Sequence, residues 1–395
     1  MKKDFFKYQA QTSPHPLALE ISHAKGNYVY DVHGKEYLDF IAGVSANTLG
    51  HNHPKISQAI KDQVDKYTHV MVYGEFIQQP QIDLTKLLAE NLPKTLETVY
   101  LTNSGTEATE GAIKLAKRFT GRSEIIAAKN GYHGNTQGAM SVCGAEQQNS
   151  AFRPLIPGVK FITFNKIADI DKITNSTAAV ILETIQGGAG FIEPTNNYLK
   201  KVKDKCDEVG ALLILDEIQS GIGRTGKLFG FENYHVIPHI IVAGKGLGGG
   251  MPIGAFISSH EIMSCLKQLP KLGHITTFGG HPVIAAAANA TLLELLNSNL
   301  IEETLQKEIL IRKLLVHPLI TEIKGKGLML AAIVETDEIA SKVILNCIDK
   351  GLLLFWLLFE GKAIRITPPL TISEDEIFKG CTIIIEALND ILAKY

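Results

Sequence analysis

The feature that most constrains this chain is an alternation of short apolar runs with stretches of helical periodicity between residues 98 and 258. Apolar strands separated by helices favour an α/β fold, in which a mostly parallel sheet is covered by helices on both faces. Ligands of such folds bind beyond the carboxyl ends of the strands, so the residues just after each strand matter most. The predicted strands are 98–102, 124–128, 160–164, 178–183, 211–216, 240–243 and 255–258.

The regions on either side do not show this regular alternation of strands and helices. The 395 residues are enough for more than one domain. Residues 1–50 contain a predicted hairpin with strands at 27–31 and 36–39. Residues 51–282 form the predicted large domain. Residues 283–395 open with an alanine-rich helix and form a smaller α/β domain, with strand-like segments at 325–332 and 363–369. We expect the first segment to pack with the small domain.

Charge and hydropathy exclude several classes of protein. Lysine and arginine number 39 against 41 acidic residues, which gives no bulk positive charge for nucleic acid. The most apolar run, 352–359, is too short to cross a membrane, and we expect its Trp356 in the core or at a domain interface. Five dispersed cysteines and the absence of a leader-like apolar stretch predict a cytoplasmic protein without disulfides. The spacing of His51 and His53 resembles that of two metal ligands, but we expect no metal site there.

Two acids, Asp216 and Glu217, end the apolar run ALLIL. They are consistent with a solvated strand end, with the magnesium-binding strand of an ATPase, or with a carboxylate that lies beneath a cationic ring. The ATPase interpretation also requires the phosphate-binding pattern Gly-x-x-x-x-Gly-Lys-Ser/Thr, which the chain lacks.

Lys245 lies between glycines at the end of another predicted strand, in AGKGLGGGMPIG (243–254). Three of the glycines match the dinucleotide pattern Gly-x-Gly-x-x-Gly. In nicotinamide-binding proteins that pattern opens a helix, whereas the three consecutive glycines and the proline here disfavour a helix. Binding of a nicotinamide dinucleotide is therefore a weaker interpretation than a reactive lysine. A desolvated lysine can instead condense with an aldehyde.

A third segment, LTNSGTEA (101–108), joins a predicted strand to a predicted helix. Small residues at such a turn leave backbone N–H groups free at the positive end of the helix dipole, where they can bind phosphate. An ordinary N-cap is the alternative. Together, an acid for a ring nitrogen, a lysine for an aldehyde and a phosphate turn match one ligand, pyridoxal phosphate.

Nearly the whole chain resembles the class III aminotransferases of the fold-type-I pyridoxal-phosphate family, and it is closest to the acetylornithine and ornithine branch. That resemblance implies a large domain with a seven-stranded, mostly parallel sheet between helices, and a smaller α/β domain. The matching segments are SGTEA (104–108), YHG (132–134), ETIQG (183–187), LILDEIQSGIGRTG (213–226), AGKGLGGGMPIG (243–254), TTFGG (276–280) and IRITPPL (364–370).

The resemblance also implies roles for particular residues. Lys245 forms the imine with the cofactor and shuttles the proton. The other expected cofactor contacts are Gly105 and Thr106 at the phosphate, Tyr132 on the ring face, Asp216 at the ring nitrogen, Gln219 near the ring hydroxyl, and Thr277 at the phosphate of the neighbouring subunit. The expected substrate contacts are Arg365, which binds a carboxylate, with Asn135 and Thr276. The resemblance therefore implies a homodimer with shared active sites, and His133 is expected to be structural.

Two positions depart from the acetylornithine-type pattern. Asn135 stands where that branch has an arginine for the substrate carboxylate, and Gly188 stands where it has a glutamate that covers Arg365. We expect an aminotransferase that uses 2-oxoglutarate in a ping-pong mechanism and serves amino acid metabolism, such as arginine biosynthesis. The alternatives are a different, α-amino donor, or racemisation or epimerisation of an amino acid, which needs no 2-oxo acid. A scaffold that binds a partner without catalysis is disfavoured by the presence of Lys245, Asp216 and Gln219 together.

Overall fold

The computed structural model describes residues 1–393, and it contains three β-sheets. The strands are β1 (Ile21–Lys25), β2 (Tyr28–Asp31), β3 (Glu36–Asp39), β4 (Thr98–Thr102), β5 (Glu124–Ala128), β6 (Val159–Ile162), β7 (Thr177–Glu183), β8 (Leu212–Asp216), β9 (Ile240–Gly244), β10 (Gly254–Ser258), β11 (Ile320–Lys326), β12 (Met329–Val334), β13 (Leu352–Leu353), β14 (Phe355–Trp356) and β15 (Ala363–Ile366).

The helices surround these sheets. They are α1 (Lys2–Tyr8), α2 (Ala42–Ser45), α3 (Pro54–Lys66), α4 (Gln79–Glu90), α5 (Gly105–Thr120), α6 (Gln137–Ser141), α7 (Glu146–Asn149), α8 (Tyr198–Val209), α9 (His260–Ser264), α10 (Pro282–Leu296), α11 (Leu300–Leu314), α12 (Asp337–Asp349) and α13 (Glu374–Leu392). Within residues 1–393, none of them combines the length and the hydropathy that crossing a membrane requires.

The central sheet has seven strands in the order β4-β10-β9-β8-β7-β5-β6. Only β10 runs antiparallel, between β4 and β9, so the predicted mostly parallel α/β sheet is confirmed. Every residue of β7, β8 and β9 is buried, which explains their continuous apolar sequences. In the ladder, Glu183 is the partner of Asp216, and Asp216 is the partner of Val242, so the carboxyl ends of three strands lie side by side.

Helix α5 follows β4 directly, and its start is fixed locally. The Ser104 side chain accepts a hydrogen bond from the Glu107 backbone N–H at 3.3 Å, and Glu107 in turn accepts one from the Asn103 backbone N–H at 2.9 Å. These bonds satisfy donors that a helix start would otherwise leave unpaired. The helix ends at Gly121, whose φ of 67° is a left-handed conformation that suits glycine. The N-terminus of α5 is thereby held at the carboxyl edge of the sheet.

The N-terminal hairpin is present as β2 and β3, and it is extended by β1 on one side and by β13 on the other. In that sheet Leu38 is the partner of Leu352, so the N-terminal segment pairs with the tail of the chain. The segment 325–332 is not one strand: β11 and β12 form a hairpin that turns at Gly327, whose φ is 62°. A Cβ atom at Gly327 would lie 2.5 Å from the Arg224 carbonyl oxygen, so the turn requires glycine. The domain boundaries stay predictions.

Candidate active site

A cavity of about 440 Å³ lies at the carboxyl edge of the central sheet. The turns after β4, β5, β7, β8 and β9 contribute to its wall, and so does β15 of the C-terminal sheet. The structure therefore brings together most of the residues that the sequence predicts for the site. The predicted residues that line the cavity are Gly105, Thr106, Tyr132, Asn135, Asp216, Gln219, Lys245 and Arg365.

Asp216 is held from two sides at the end of β8. Its Oδ2 lies 2.7 Å from His133 Nδ1, and its Oδ1 accepts a hydrogen bond from the Ile218 backbone N–H at 2.9 Å. Burial by itself lowers the pKa of His133, but the hydrogen bond and the charge of Asp216 raise it above its usual value. The His133 ring and the Ile218 backbone N–H together fix the position of the Asp216 carboxylate. The structural role expected for His133 is therefore consistent with its contacts.

Lys245 follows β9 and has a φ of 43°. Burial lowers the pKa of its amine, the negative charge of Asp216 opposes that effect, and the positive charge of Arg365 adds to it. A lowered pKa increases the fraction of neutral, nucleophilic amine. The neighbouring Gly246 is required by packing, because a Cβ atom there would lie 2.3 Å from Thr48 Oγ1.

The start of α5 forms a compact turn at the cavity. A Cβ atom at Gly105 would lie 2.6 Å from Ile218 Cδ1, and one at Gly134, which has a φ of 127°, would lie 2.3 Å from Thr106 Oγ1. Side chains larger than glycine would therefore fill this turn. The Thr106 hydroxyl is 2.8 Å from that of Thr136. Backbone N–H groups at the N-terminus of a sixteen-residue helix suit a phosphate group.

Glu183 ends β7 and lines the cavity, although its side chain was not among the predicted site residues. Its carboxylate accepts hydrogen bonds from the backbone N–H groups of Tyr132, at 3.1 Å, and Gly187, at 2.9 Å. Burial raises the pKa of Glu183 to about 7. An acid at the end of a continuous apolar strand is the same signal that identified Asp216, and it could have identified Glu183.

Arg365 reaches the cavity from β15 and is 5% exposed. Its Nε and Nη2 each donate to the Trp356 carbonyl oxygen at 3.4 Å, and its buried Nη1 has no hydrogen-bond partner. Burial lowers its pKa to about 10. Among the described residues 1–393, no carboxylate forms an ion pair with it, and its Nη1 is unpartnered, so this guanidinium is available for a carboxylate of a ligand.

The expectation that Trp356 lies in the core or at a domain interface agrees with its packing, because its side chain is partly buried against the hydrophobic core. It also lines the cavity together with Phe355 and Leu358. Its indole N–H donates to Ser341 Oγ at 3.0 Å. An apolar run has the same composition whether it faces the core or a cavity, so the sequence could not separate the two positions.

Thr276 and Thr277 do not line this cavity in their own chain. Thr276 Oγ1 accepts a hydrogen bond from Asn103 Nδ2 at 3.0 Å, and Thr276 borders a separate cavity of about 320 Å³. Their roles as substrate and phosphate contacts stay predictions. For Thr277, that role is predicted to act across a subunit interface.

The donor set fits pyridoxal phosphate. Lys245 can react with the aldehyde, Asp216 can pair with the ring nitrogen, and the turn at Gly105 leaves space for the phosphate. Tyr132 and Gln219 complete the cavity, and Gln219 Nε2 donates to Ser45 Oγ at 3.4 Å.

Comparisons with known proteins agree with this geometry. The family model for class III aminotransferases matches residues 8–388. An acetylornithine aminotransferase of Caldanaerobacter subterraneus is 39% identical in an alignment that covers 93% of this chain and 94% of that protein. A putrescine aminotransferase of Pectobacterium atrosepticum is 38% identical in an alignment that covers 95% of this chain and 83% of that protein.

Among solved structures, the ornithine aminotransferase of Toxoplasma gondii superimposes with a TM-score of 0.92 at 30% identity, and the match covers 100% of this chain and 96% of that one. The predicted family, fold and cofactor are confirmed. This chain belongs to the class III aminotransferases, and it is a pyridoxal-phosphate-dependent transaminase.

Proposed function

We propose that the enzyme transfers an amino group from an amino donor to 2-oxoglutarate in two half-reactions, with the first product leaving before the second substrate binds. The donor loses its amino group and leaves as an oxo compound, and 2-oxoglutarate receives the amino group and leaves as glutamate. The observation that carries the proposal is the shared cavity of Lys245, Asp216 and the unpaired Arg365.

Different residues of the cavity have different roles in this reaction. Pyridoxal phosphate, when bound, supplies an aldehyde that condenses with amines and a ring that accepts the electrons of a broken C–H bond. Lys245 Nζ takes a proton from the donor carbon and delivers it to a carbon of the cofactor. A lowered pKa suits this role, because it leaves more of the amine neutral and able to accept a proton. Asp216, oriented by His133, keeps a proton on the ring nitrogen. Arg365 orients the substrate by binding its carboxylate.

The donor follows from Arg365 and the two unusual positions. Because Gly188 carries no carboxylate, Arg365 stays open, and a substrate carboxylate can bind there in both half-reactions. This favours direct reaction of an α-amino group. Asn135 can donate a hydrogen bond to a second carboxylate, although it lacks the charge of an arginine. The relatives named for acetylornithine and putrescine support a role in amino acid metabolism, such as arginine biosynthesis.

A second copy of the chain is part of the proposal. Ile77 and Leu269 are 93% and 91% exposed, and Phe278 is 52% exposed next to Thr277. Exposed apolar side chains in such numbers are typical of a surface that another chain covers. These exposed side chains are consistent with a homodimer that has shared sites. A cytoplasmic location also stays a prediction.

Two measurements test this function. Borohydride reduction of the holoenzyme, followed by peptide mass mapping, should place the cofactor mass on Lys245, and a Lys245→Ala variant should remain unlabelled. With an amino donor alone, the visible absorbance of the cofactor should be lost and then restored by 2-oxoglutarate. Racemisation or epimerisation without any 2-oxo acid would contradict transamination, and an unlabelled Lys245 in a working enzyme would refute the assignment.

A further inference from the structure

Part of the cavity wall consists of large apolar side chains that the chemistry of Lys245 does not use. Phe355, Trp356 and Leu358, here called the apolar wall, line the same cavity as Lys245 and Arg365. Phe355 is 39% exposed and Leu358 is 54% exposed, so neither side chain is part of the core. Apolar side chains that border a concave site and stay open to solvent are typical of a surface for an apolar ligand.

The cavity offers no free carboxylate to a positively charged side chain of a substrate. The acids that line it are Asp216 and Glu183. Asp216 is bonded to His133 and to the Ile218 backbone, and Glu183 accepts two backbone hydrogen bonds. A remote ammonium group that entered the cavity would lose its hydration without gaining an ionic partner, which is unfavourable.

The position from which a carboxylate could be supplied is closed by packing. Gly188 lines the cavity, and a Cβ atom there would lie 2.9 Å from Cδ2 and from Cε2 of Phe359. The Phe359 backbone N–H also donates to the Gly188 carbonyl oxygen at 2.9 Å, which fixes the two residues against each other. A glutamate at position 188 therefore requires the Phe359 ring to move.

We propose, on the basis of the aminotransfer reaction above, that the apolar wall selects α-amino acids with an uncharged, apolar side chain. Arg365 binds the carboxylate of such a donor, and the side chain packs on Phe355, Trp356 and Leu358. Phe355 and Leu358 are then specificity-determining residues. Donors of the ornithine type are poor substrates because their second ammonium group meets an apolar surface.

The first experiment compares donors of equal length on the holoenzyme. L-Norvaline and L-ornithine share a five-carbon chain and differ by the terminal amine. The second-order rate constant for loss of the cofactor absorbance should be at least about tenfold larger for norvaline. Faster reaction of ornithine or N-acetylornithine than of norvaline would overturn the inference.

The second experiment measures binding without turnover. The chain has 1 tryptophan, Trp356, so its fluorescence reports directly on the apolar wall. Pentanoate has a carboxylate and an apolar chain but no amine, and it should alter this fluorescence on binding. Leu358→Glu should weaken pentanoate binding about five- to tenfold by removing apolar contact area. Phe355→Glu, as a second variant of the wall, should have the same effect.

The matched control is Leu345→Glu, because Leu345 on α12 is 48% exposed and lies outside the cavity lining. It should bind pentanoate like the unaltered protein, and equal affinity in all variants would refute the role of the apolar wall. Reaction with ornithine but not with norvaline would overturn this inference and leave the proposed aminotransfer standing. An absence of reaction with every donor, with Lys245 unlabelled by borohydride, would instead refute the proposed function.

Discussion

The contact between Gly188 and Phe359 can be tested by adding a single methyl group. A Cβ atom at position 188 would lie 2.9 Å from two carbons of the Phe359 ring, closer than real Cβ atoms approach their neighbours. The backbone itself does not oppose the change, because the φ angle of Gly188 is outside the left-handed region. Gly188→Ala therefore isolates the packing against the ring.

The expected magnitude follows from two opposing effects. Overpacking of this kind costs about 1–3 kcal/mol. Replacing glycine by alanine where the backbone tolerates it stabilises by about 0.4–1 kcal/mol, because the unfolded chain loses freedom. Gly188→Ala should therefore lower the free energy of unfolding by up to about 2.5 kcal/mol. In a Phe359→Ala background the ring is gone, and the same substitution should stabilise by about 0.4–1 kcal/mol.

The assay is a double-mutant cycle, in which the free energy of unfolding is measured by urea denaturation at one fixed protein concentration. The coupling energy between positions 188 and 359 should be about 1–3 kcal/mol. An equal effect of Gly188→Ala in both backgrounds would refute the argument that the Phe359 ring closes this position.

Three further outcomes are expected. Arg365→Ala should raise the KM for 2-oxoglutarate about 100-fold, because the buried guanidinium provides charged hydrogen bonds to the substrate carboxylate. An unchanged KM would contradict that role. His133→Gln should lower the free energy of unfolding most below about pH 6.5. The pKa of His133 is raised in the folded protein, so the stabilisation by protonated His133 is complete below its unfolded pKa and is lost as the pH rises through its higher folded pKa. Urea denaturation at a series of pH values checks this, and a pH-independent difference would count against it. The double variant Asn135→Arg, Gly188→Glu should react with ornithine and norvaline in the same ratio as the unaltered enzyme, since the Phe359 ring blocks position 188. Adding Phe359→Ala should shift that ratio towards ornithine. A shift in the double variant alone would disprove the block.

Much of the site was predictable because its residues follow buried strands. Asp216 and Lys245 end neighbouring strands of one parallel ladder, and parallel strands present their carboxyl ends at the same edge. The seven strands themselves were predicted to within one or two residues, and β7, β8 and β9 were the clearest, since strands buried on both faces are continuously apolar. Glu183 carried the same signal and was overlooked.

Other features could not be predicted from local pattern. The segment 325–332 contains strand edges, as the sequence predicts, but the pattern did not show that left-handed backbone at Gly327 reverses the chain and makes a hairpin. Trp356 packs against the core, which agrees with the expectation of a core or domain-interface position, but hydropathy could not show that it also lines the cavity. The roles of Thr276 and Thr277 stay predictions, and the role predicted for Thr277 acts across a subunit interface, which no pattern within one chain describes.

By itself, the order of the amino acids determined the alternating sheet, the positions of the reactive side chains at its edge and the chemistry that they share, because strand burial and turn preferences are local properties. Only the tertiary structure decided which other groups meet those side chains. Arg365 reaches the cavity from a different sheet, and Phe359 closes the space beside Gly188. Both contacts join residues far apart in the chain, and their distances result from packing rather than from periodicity.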